Sequence, residues 1–171
     1  HAGKLREREQ LLIRRAKATR AWIGYVNLVG GQDELVFDGA SLLVNPQGQV
    51  VFQAPQFKEG VFFVEIPERS LGDPRRATRS HTSVEVVKIP RAPKSRSSRW
   101  KTSRSAQPLP LDAEIFHALI LGLQDYVRKN GFSRVVLGLS GGIDSSLTGA
   151  IAVAALGKRA VTGVSLPSRY S

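Results

Sequence analysis

Apolar positions along this chain recur with two periods, about one helical turn in some stretches and two residues in others, and the changes between them mark out its elements. Residues 4–20 place Leu5, Leu12 and Ala16 on one helical face with charges of both signs around the rest, which predicts an amphipathic helix. Residues 22–27 read as a strand. Residues 41–45 and 49–53 are apolar runs joined by Pro46-Gln47-Gly48, a turn sequence, and predict a hairpin. Residues 61–66 read as a further strand, ended by Pro67. A helix is expected to start at Leu111 or Asp112, with Ile115, Leu119, Leu123 and Tyr126 about a turn apart, and to stop at Asn130-Gly131 with a left-handed cap. Strand 134–139, helix 145–156 and strand 160–165 then compose a βαβ unit, whose ligand edge lies at the C-terminal ends of its strands. No internal repeat interrupts this order.

The richest chemistry lies where the first strand of that unit ends. Val135-Val136-Leu137-Gly138-Leu139 empties into Ser140-Gly141-Gly142-Ile143-Asp144-Ser145-Ser146, a glycine turn that opens a helix. Adjacent glycines let backbone N–H groups approach an anion without interference from a Cβ. The start of the next helix adds unpartnered donors and partial positive charge. No Lys follows the glycines in the spacing GxxxxGK[ST], so this is not a loop that grips and hydrolyses a terminal phosphate. Asp144 and Ser145 also suit plain helix capping, and Gly141-Gly142 a plain tight turn. Asp144 suits two tasks at once, capping the backbone and holding a Mg2+ that bridges phosphates.

Composition adds limits. With 171 residues and 42% hydrophobic content, the chain is long enough to bury a core. No apolar run approaches the roughly 20 residues of a membrane span, and the basic start lacks the apolar centre of a secretion signal, so a cytoplasmic setting is the default expectation. Charge is concentrated: residues 69–104 hold 11 Lys or Arg against Asp73 and Glu85, a local +9 of the +11 overall. Pro74, Pro90, Pro93 and repeated Ser punctuate the same stretch, which reads as a solvated linker with a short extended piece at 84–89. Basic Ser/Arg-rich segments bind nucleic acid through counterion release, but Trp100 is the one stacking candidate here and no recognition fold accompanies it. Nucleic acid is therefore not expected as a partner.

The string SGGIDSS resembles the pyrophosphate loop of ATP pyrophosphatases, which cut ATP between its α and β phosphates. LDAEIFHALILGLQDYVRKNGFSRVVLGLSGGIDSSLTGAIAVAALGKRAVTGVSLPSRYS, residues 111–171, resembles the start of an NAD synthetase domain. YVNLVGGQDELVFDGASLLVNPQGQVVFQAPQF, residues 25–57, is similar to the C-terminal half of a nitrilase-type glutaminase. The two in this order resemble the glutamine-dependent NAD synthetases. The resemblance implies an α/β fold: the C-terminal part of a nitrilase-like α/β sandwich, joined by a linker to the first βαβ unit of a Rossmann-like pyrophosphate-loop domain of the adenine nucleotide α hydrolase kind. The implied division is 1–68 for the partial glutaminase, 69–108 for the linker and 109–171 for the partial synthetase.

It implies further that an amidoligase containing this chain makes NAD from deamido-NAD, ATP and glutamine, and that it forms a homo-oligomer. The glutaminase Cys, Glu and Lys are expected upstream of His1, so no catalytic residue is assigned in the chain, which contains no Cys and is expected to be inactive alone. Gly138, Leu139, Ser140, Gly141, Gly142, Ile143, Asp144 and Ser145 are the implied ATP-binding residues, with Asp144 the Mg2+ ligand. Lys4 stands where the family segment SPFHxGK has a glutamine-contacting Lys; a first-turn surface Lys is the plain alternative. Gly30-Gly31-Gln32-Asp33-Glu34 resembles a loop that shapes the glutaminase pocket, and by its residues alone is a polar turn. Leu166, Pro167, Ser168 and Arg169 are second-tier candidates beside the nucleotide. His81 and His117 have no ligand-spaced partners and receive no role. Two other readings remain: a different pyrophosphate-loop amidotransferase or sulfur-transfer enzyme, and a non-catalytic basic interaction fragment.

Overall fold

The structure, a computed structural model, describes residues 3–67 and 101–166. It is an α/β arrangement of α1 (Lys4–Thr19), β1 (Ile23–Tyr25), β2 (Val29–Gln32), β3 (Leu35–Asp38), β4 (Leu42–Val44), β5 (Val50–Gln53), α2 (Leu111–Lys129), β6 (Val135–Leu139), α3 (Ile143–Leu156) and β7 (Val161–Ser165). The chain divides into two compact units, His1–Gly60 with Ser105–Ser171, and Val61–Arg104. In the second unit Ser103 N–H donates to Phe63 O at 2.7 Å, and Phe63 N–H donates to Ser103 Oγ at 3.0 Å.

The first unit is built around α1. Leu5, Leu12 and Ala16, the face expected from their spacing, are buried against Ala40, Leu42 and Val44, with Ile13, Ile23, Tyr25 and Val50 packed around them. Strands β1, β4 and β5 form an antiparallel sheet in the order β1-β4-β5. Asn45 builds the turn between β4 and β5: its Oδ1 accepts from the backbone N–H of Gln47 at 3.1 Å and of Gln49 at 2.8 Å. Gly48 completes that turn at φ +79, a region that glycine enters without Cβ strain.

Two departures from the sequence reading have physical causes. Residues 61–66 are not in a strand among the described residues, where Phe63 bonds to Ser103 through its N–H and its carbonyl; period-two alternation describes a pleated surface but does not choose its partner edge. Residues 30–34 are not one turn. Gly30, Gly31 and Gln32 pair with Phe37, Val36 and Leu35 in an antiparallel hairpin, which leaves the turn at Asp33 and Glu34, with Asp33 left-handed at φ +51. The strand at 22–27 is also shorter than expected, Ile23–Tyr25.

Gly39 follows this hairpin at φ +68, and a Cβ there would lie 2.6 Å from Val29 Cγ2 and 3.7 Å from Pro55 O. Gly39→Ala is therefore expected to cost about 1–3 kcal/mol from backbone strain and crowding together, read as a lowered midpoint in urea unfolding.

Helix α2 ends as its sequence predicts. Gly131 is left-handed at φ +77, and the backbone N–H groups of Gly131 and Phe132 return to Arg128 O and Val127 O, both at 3.0 Å. The next strand, β6, pairs in parallel with β7 from Val135↔Val161 to Leu139↔Ser165. α3 is the crossover between them and starts at Ile143, two residues before the predicted start, because the turn is complete at Gly142.

The basic stretch at 69–108 lies largely outside the described residues, as do the extended piece expected at 84–89, His81, and Pro167, Ser168 and Arg169. Its last residues and Leu109 just after it are held by specific bonds within the first unit. Gln53 N–H donates to Ser105 Oγ at 3.0 Å, Ala106 N–H to Gln53 O at 2.8 Å, and Leu109 N–H to Gln56 Oε1 at 2.8 Å.

Candidate functional site

Two regions hold the candidate chemistry. The first is the turn after β6. Gly141 is left-handed at φ +84, and the extended Gly142 is the N-cap of α3 and makes no side-chain capping bond. The first intrahelical bond runs from Ser146 N–H to Gly142 O at 3.2 Å, so the N–H groups of Ile143, Asp144 and Ser145 have no intrahelical acceptor. The hydroxyls of Ser145 and Ser146 both donate to Gly142 O at 3.0 Å, and Ser140 Oγ lies 3.3 Å from Ser145 Oγ. Neither Asp144 nor Ser145 caps the helix.

This is a set of aligned donors at the positive end of a helix, geometry suited to an anion. Asp144 is exposed in the first turn, and its carboxylate makes no hydrogen bond or ion pair among the described residues. A carboxylate repels phosphate unless a cation stands between them. A free carboxylate among anion donors fits a hard divalent ion shared with phosphate oxygens. No cluster of three or more His, Cys, Asp or Glu with metal-binding geometry occurs among the described residues, so phosphate and water would have to complete the shell.

Gly138 and Leu139 sit differently from the rest of the motif. Both belong to the β6–β7 ladder, and Leu139 O accepts from Leu166 N–H at 2.9 Å. A Cβ on Gly138 would lie 2.7 Å from Leu166 Cδ1, so this glycine makes room for the residue that follows β7. Leu166 thus lies beside the strand end that carries the turn. Ile143 is 83% exposed at the mouth of the turn.

The second region is a cavity of about 800 Å³, lined by Lys4, Glu7 and Arg8 from α1, by Asp38 at the end of β3, and by Ile115 and Leu119 from α2. Lys4 lines this cavity and is an exposed first-turn residue. Behind it, Arg8 grips Asp38: Nη2 donates to Oδ2 at 2.7 Å and to Oδ1 at 2.9 Å, and Nη1 donates to Oδ1 at 3.0 Å. Asn27 Nδ2 donates to Asp38 Oδ1 at 2.9 Å, and the Arg8 guanidinium lies 5.5 Å from the Tyr25 ring centroid. Burial works against the Arg8 charge, but the hydrogen bonds and charge of Asp38 outweigh it and hold the guanidinium above its ordinary range. Ile115 and Leu119, about a turn apart on α2 as expected, face this cavity and are 42% and 48% exposed.

Sequence reasoning missed the Arg8–Asp38–Asn27 network, and it missed Glu114, Gly122, Asp125 and Lys129 on α2. A mid-helix glycine signals close backbone approach, and Asp125 with Lys129 is an i,i+4 pair, so local signs of the α2 residues were present. His117 makes ring contacts, with centroids 6.1 Å from both Phe57 and Phe116.

Comparison with known proteins matches both parts of the chain. The carbon-nitrogen hydrolase family matches residues 6–76, and the NAD synthase family matches residues 115–171. Glutamine-dependent NAD(+) synthetases from Thermotoga maritima and Aquifex aeolicus are 44% and 43% identical, each across 100% of this chain and 31% of the relative. The structure of a glutamine-dependent NAD+ synthetase from Acinetobacter baumannii, in complex with adenosine diphosphate, superposes with a TM-score of 0.77 at 38% identity, covering 100% of this chain and 28% of that one.

Proposed function

Because the chain belongs to the glutamine-dependent NAD(+) synthetase family and spans 31% of the length of two of its members, we propose that it is the central part of such an enzyme. In this reading residues 1–68 close a nitrilase-like glutaminase domain, 69–108 lead across, and 109–171 open a Rossmann-like pyrophosphate-loop domain. The parent enzyme hydrolyses glutamine in the first domain and delivers ammonia to the second, where deamido-NAD is activated by ATP as an adenylate. Its products are NAD, AMP and pyrophosphate. A cytoplasmic setting and a homo-oligomeric parent belong to the same reading.

The observation that carries it is the uncapped turn at Ser140–Asp144 in a chain whose other part matches a carbon-nitrogen hydrolase. Cleavage between the α and β phosphates builds charge on the departing pyrophosphate. N–H groups of Ile143, Asp144 and Ser145, already aligned by α3, would receive that charge without reorganising. Ser140, Ser145 and Ser146 would add hydroxyl contacts, and Gly141 and Gly142 keep the approach clear. Asp144 would hold Mg2+, which when bound supplies charge neutralisation to the phosphates. Gly138 and Leu139 would support the turn from the strand. On the other side, Lys4 would meet the glutamine carboxylate or carbonyl, with Arg8 and Asp38 fixing the wall behind it. Leu166, on the same strand edge, would lie beside the nucleotide.

The test is whether the parent enzyme forms NAD from deamido-NAD and ATP with glutamine or with ammonium. Failure with both nitrogen sources would reject the reading in favour of another pyrophosphate-loop amidotransferase or sulfur-transfer enzyme. A second result is expected of this chain by itself. Purified residues 1–171, having no Cys to form a thioester, release no ammonia from glutamine above a no-protein blank. Ammonia release above that blank would mean that the nucleophile has been misplaced.

A further inference from the structure

Helix α2 is fastened to the β2–β3 hairpin by contacts that the proposed chemistry does not use. Gly31 N–H donates to Asp125 Oδ2 at 2.8 Å, and Lys129 Nζ donates to Gly31 O at 2.5 Å. Asp125 and Lys129, one turn apart on α2, pair with each other at 3.5 Å. Both backbone polar groups of one buried glycine are thus held by the two members of a single ion pair.

The fit around them is equally close. A Cβ on Gly31 would lie 3.0 Å from Gly122 Cα, and one on Gly122 would lie 3.2 Å from Val36 Cγ2, so hairpin and helix meet backbone to backbone. The start of α2 is tied as well, by Gly3 N–H donating to Glu114 Oε1 at 3.0 Å. Hydrogen bonds from or to an ionised side chain are the strong ones, and the Asp125 side chain is only 20% exposed.

This fastening stands between the two candidate regions. In one direction the hairpin runs through β3 to Asp38, which holds Arg8 and Asn27 beside the cavity that Lys4 lines. In the other, α2 ends at Lys129 and passes through Gly131 into β6, whose far end carries Ser140–Asp144. A shift of α2 along the hairpin would displace one region against the other and reshape the cavity, because Ile115 and Leu119 are part of its wall.

We infer that Asp125 and Lys129 are positioning residues that set the register between the glutamine-side cavity and the nucleotide-side turn, so that ammonia released on one side is captured on the other. This rests on the NAD synthetase reading above. Neither residue lines the cavity or belongs to the glycine turn. Loss of the fastening should therefore affect the use of glutamine far more than the use of ammonium.

The experiment is made in the parent enzyme with Asp125→Ala, Lys129→Met and Asp125→Asn, the last retaining an acceptor for Gly31 N–H. Asp125→Ala is expected to lower glutamine-driven NAD formation about tenfold, as for loss of a charge-assisted hydrogen bond, while ammonium-driven formation stays within about twofold. Glutamine consumed per NAD should rise in Asp125→Ala and Lys129→Met and be partly restored in Asp125→Asn. Equal losses with glutamine and ammonium would show a merely structural role and overturn the inference. So would an unchanged ratio of glutamine consumed to NAD formed. If the unsubstituted parent makes no NAD from either nitrogen source, the functional reading fails and this inference falls with it; normal coupling in both parent and Asp125→Ala overturns the inference alone.

Discussion

Asp144→Asn in the parent enzyme is expected to reduce pyrophosphate release from ATP and deamido-NAD by at least about a hundredfold, the scale of several kcal/mol of metal-borne charge stabilisation. Ammonia release from glutamine should remain measurable. The separation follows from where Asp144 stands: it is exposed in the first turn of α3, and its carboxylate makes no hydrogen bond or ion pair among the described residues. Asn keeps the size and the helix start but removes the anionic oxygen that a Mg2+ requires. Pyrophosphate release and glutaminase activity, assayed side by side on one preparation, check this result. An undiminished rate of pyrophosphate release would remove Asp144 from the site.

Asp38→Ala is expected to destabilise the unit built around α1 by about 2–4 kcal/mol, somewhat below the cost of breaking a fully buried ion pair. Arg8 and Asp38 are 15% and 18% exposed, so solvent recovers part of the loss. The substitution removes the acceptor of three hydrogen bonds from Arg8 and one from Asn27, and leaves a guanidinium under the Tyr25 ring whose Nε is already buried without a partner among the described residues. Replacing both partners, as Arg8→Met with Asp38→Leu, should cost less than Asp38→Ala alone, because no buried charge is left unpaired. Thermal unfolding of the parent and the variants measures both. A midpoint for Asp38→Ala indistinguishable from that of the unsubstituted protein would mean that the pair contributes nothing.

Local periodicity and turn chemistry made much of the fold legible. Leu5, Leu12 and Ala16 share a face at helical spacing and are buried together. Pro46-Gln47-Gly48 marks a turn, and β4 and β5 pair around it. Asn130-Gly131 ends α2 because glycine takes the left-handed position without cost. Where a structure depends on a distant partner, the same signals failed. Residues 61–66 have the alternation of a strand, but alternation does not say where a pairing edge will be found. Gly30-Gly31 looks like part of a turn until α2 is in place. Gly122 then lies against Gly31, and Asp125, 94 residues along the chain, takes its N–H. The glycine turn at Ser140–Asp144 was legible because its chemistry is contiguous in sequence. The Arg8–Asp38–Asn27 network was not, because its members come from α1, the segment after β1 and the end of β3.

The most direct measurement is isotope tracing in the parent enzyme supplied with deamido-NAD, ATP and glutamine labelled with heavy nitrogen in its side-chain amide. Mass analysis is expected to find the label in the carboxamide of NAD, with AMP and pyrophosphate formed in amounts equal to the NAD. Formation of ADP and phosphate in place of AMP and pyrophosphate, or no labelled NAD, would contradict a synthetase that joins a glutaminase to a pyrophosphate loop.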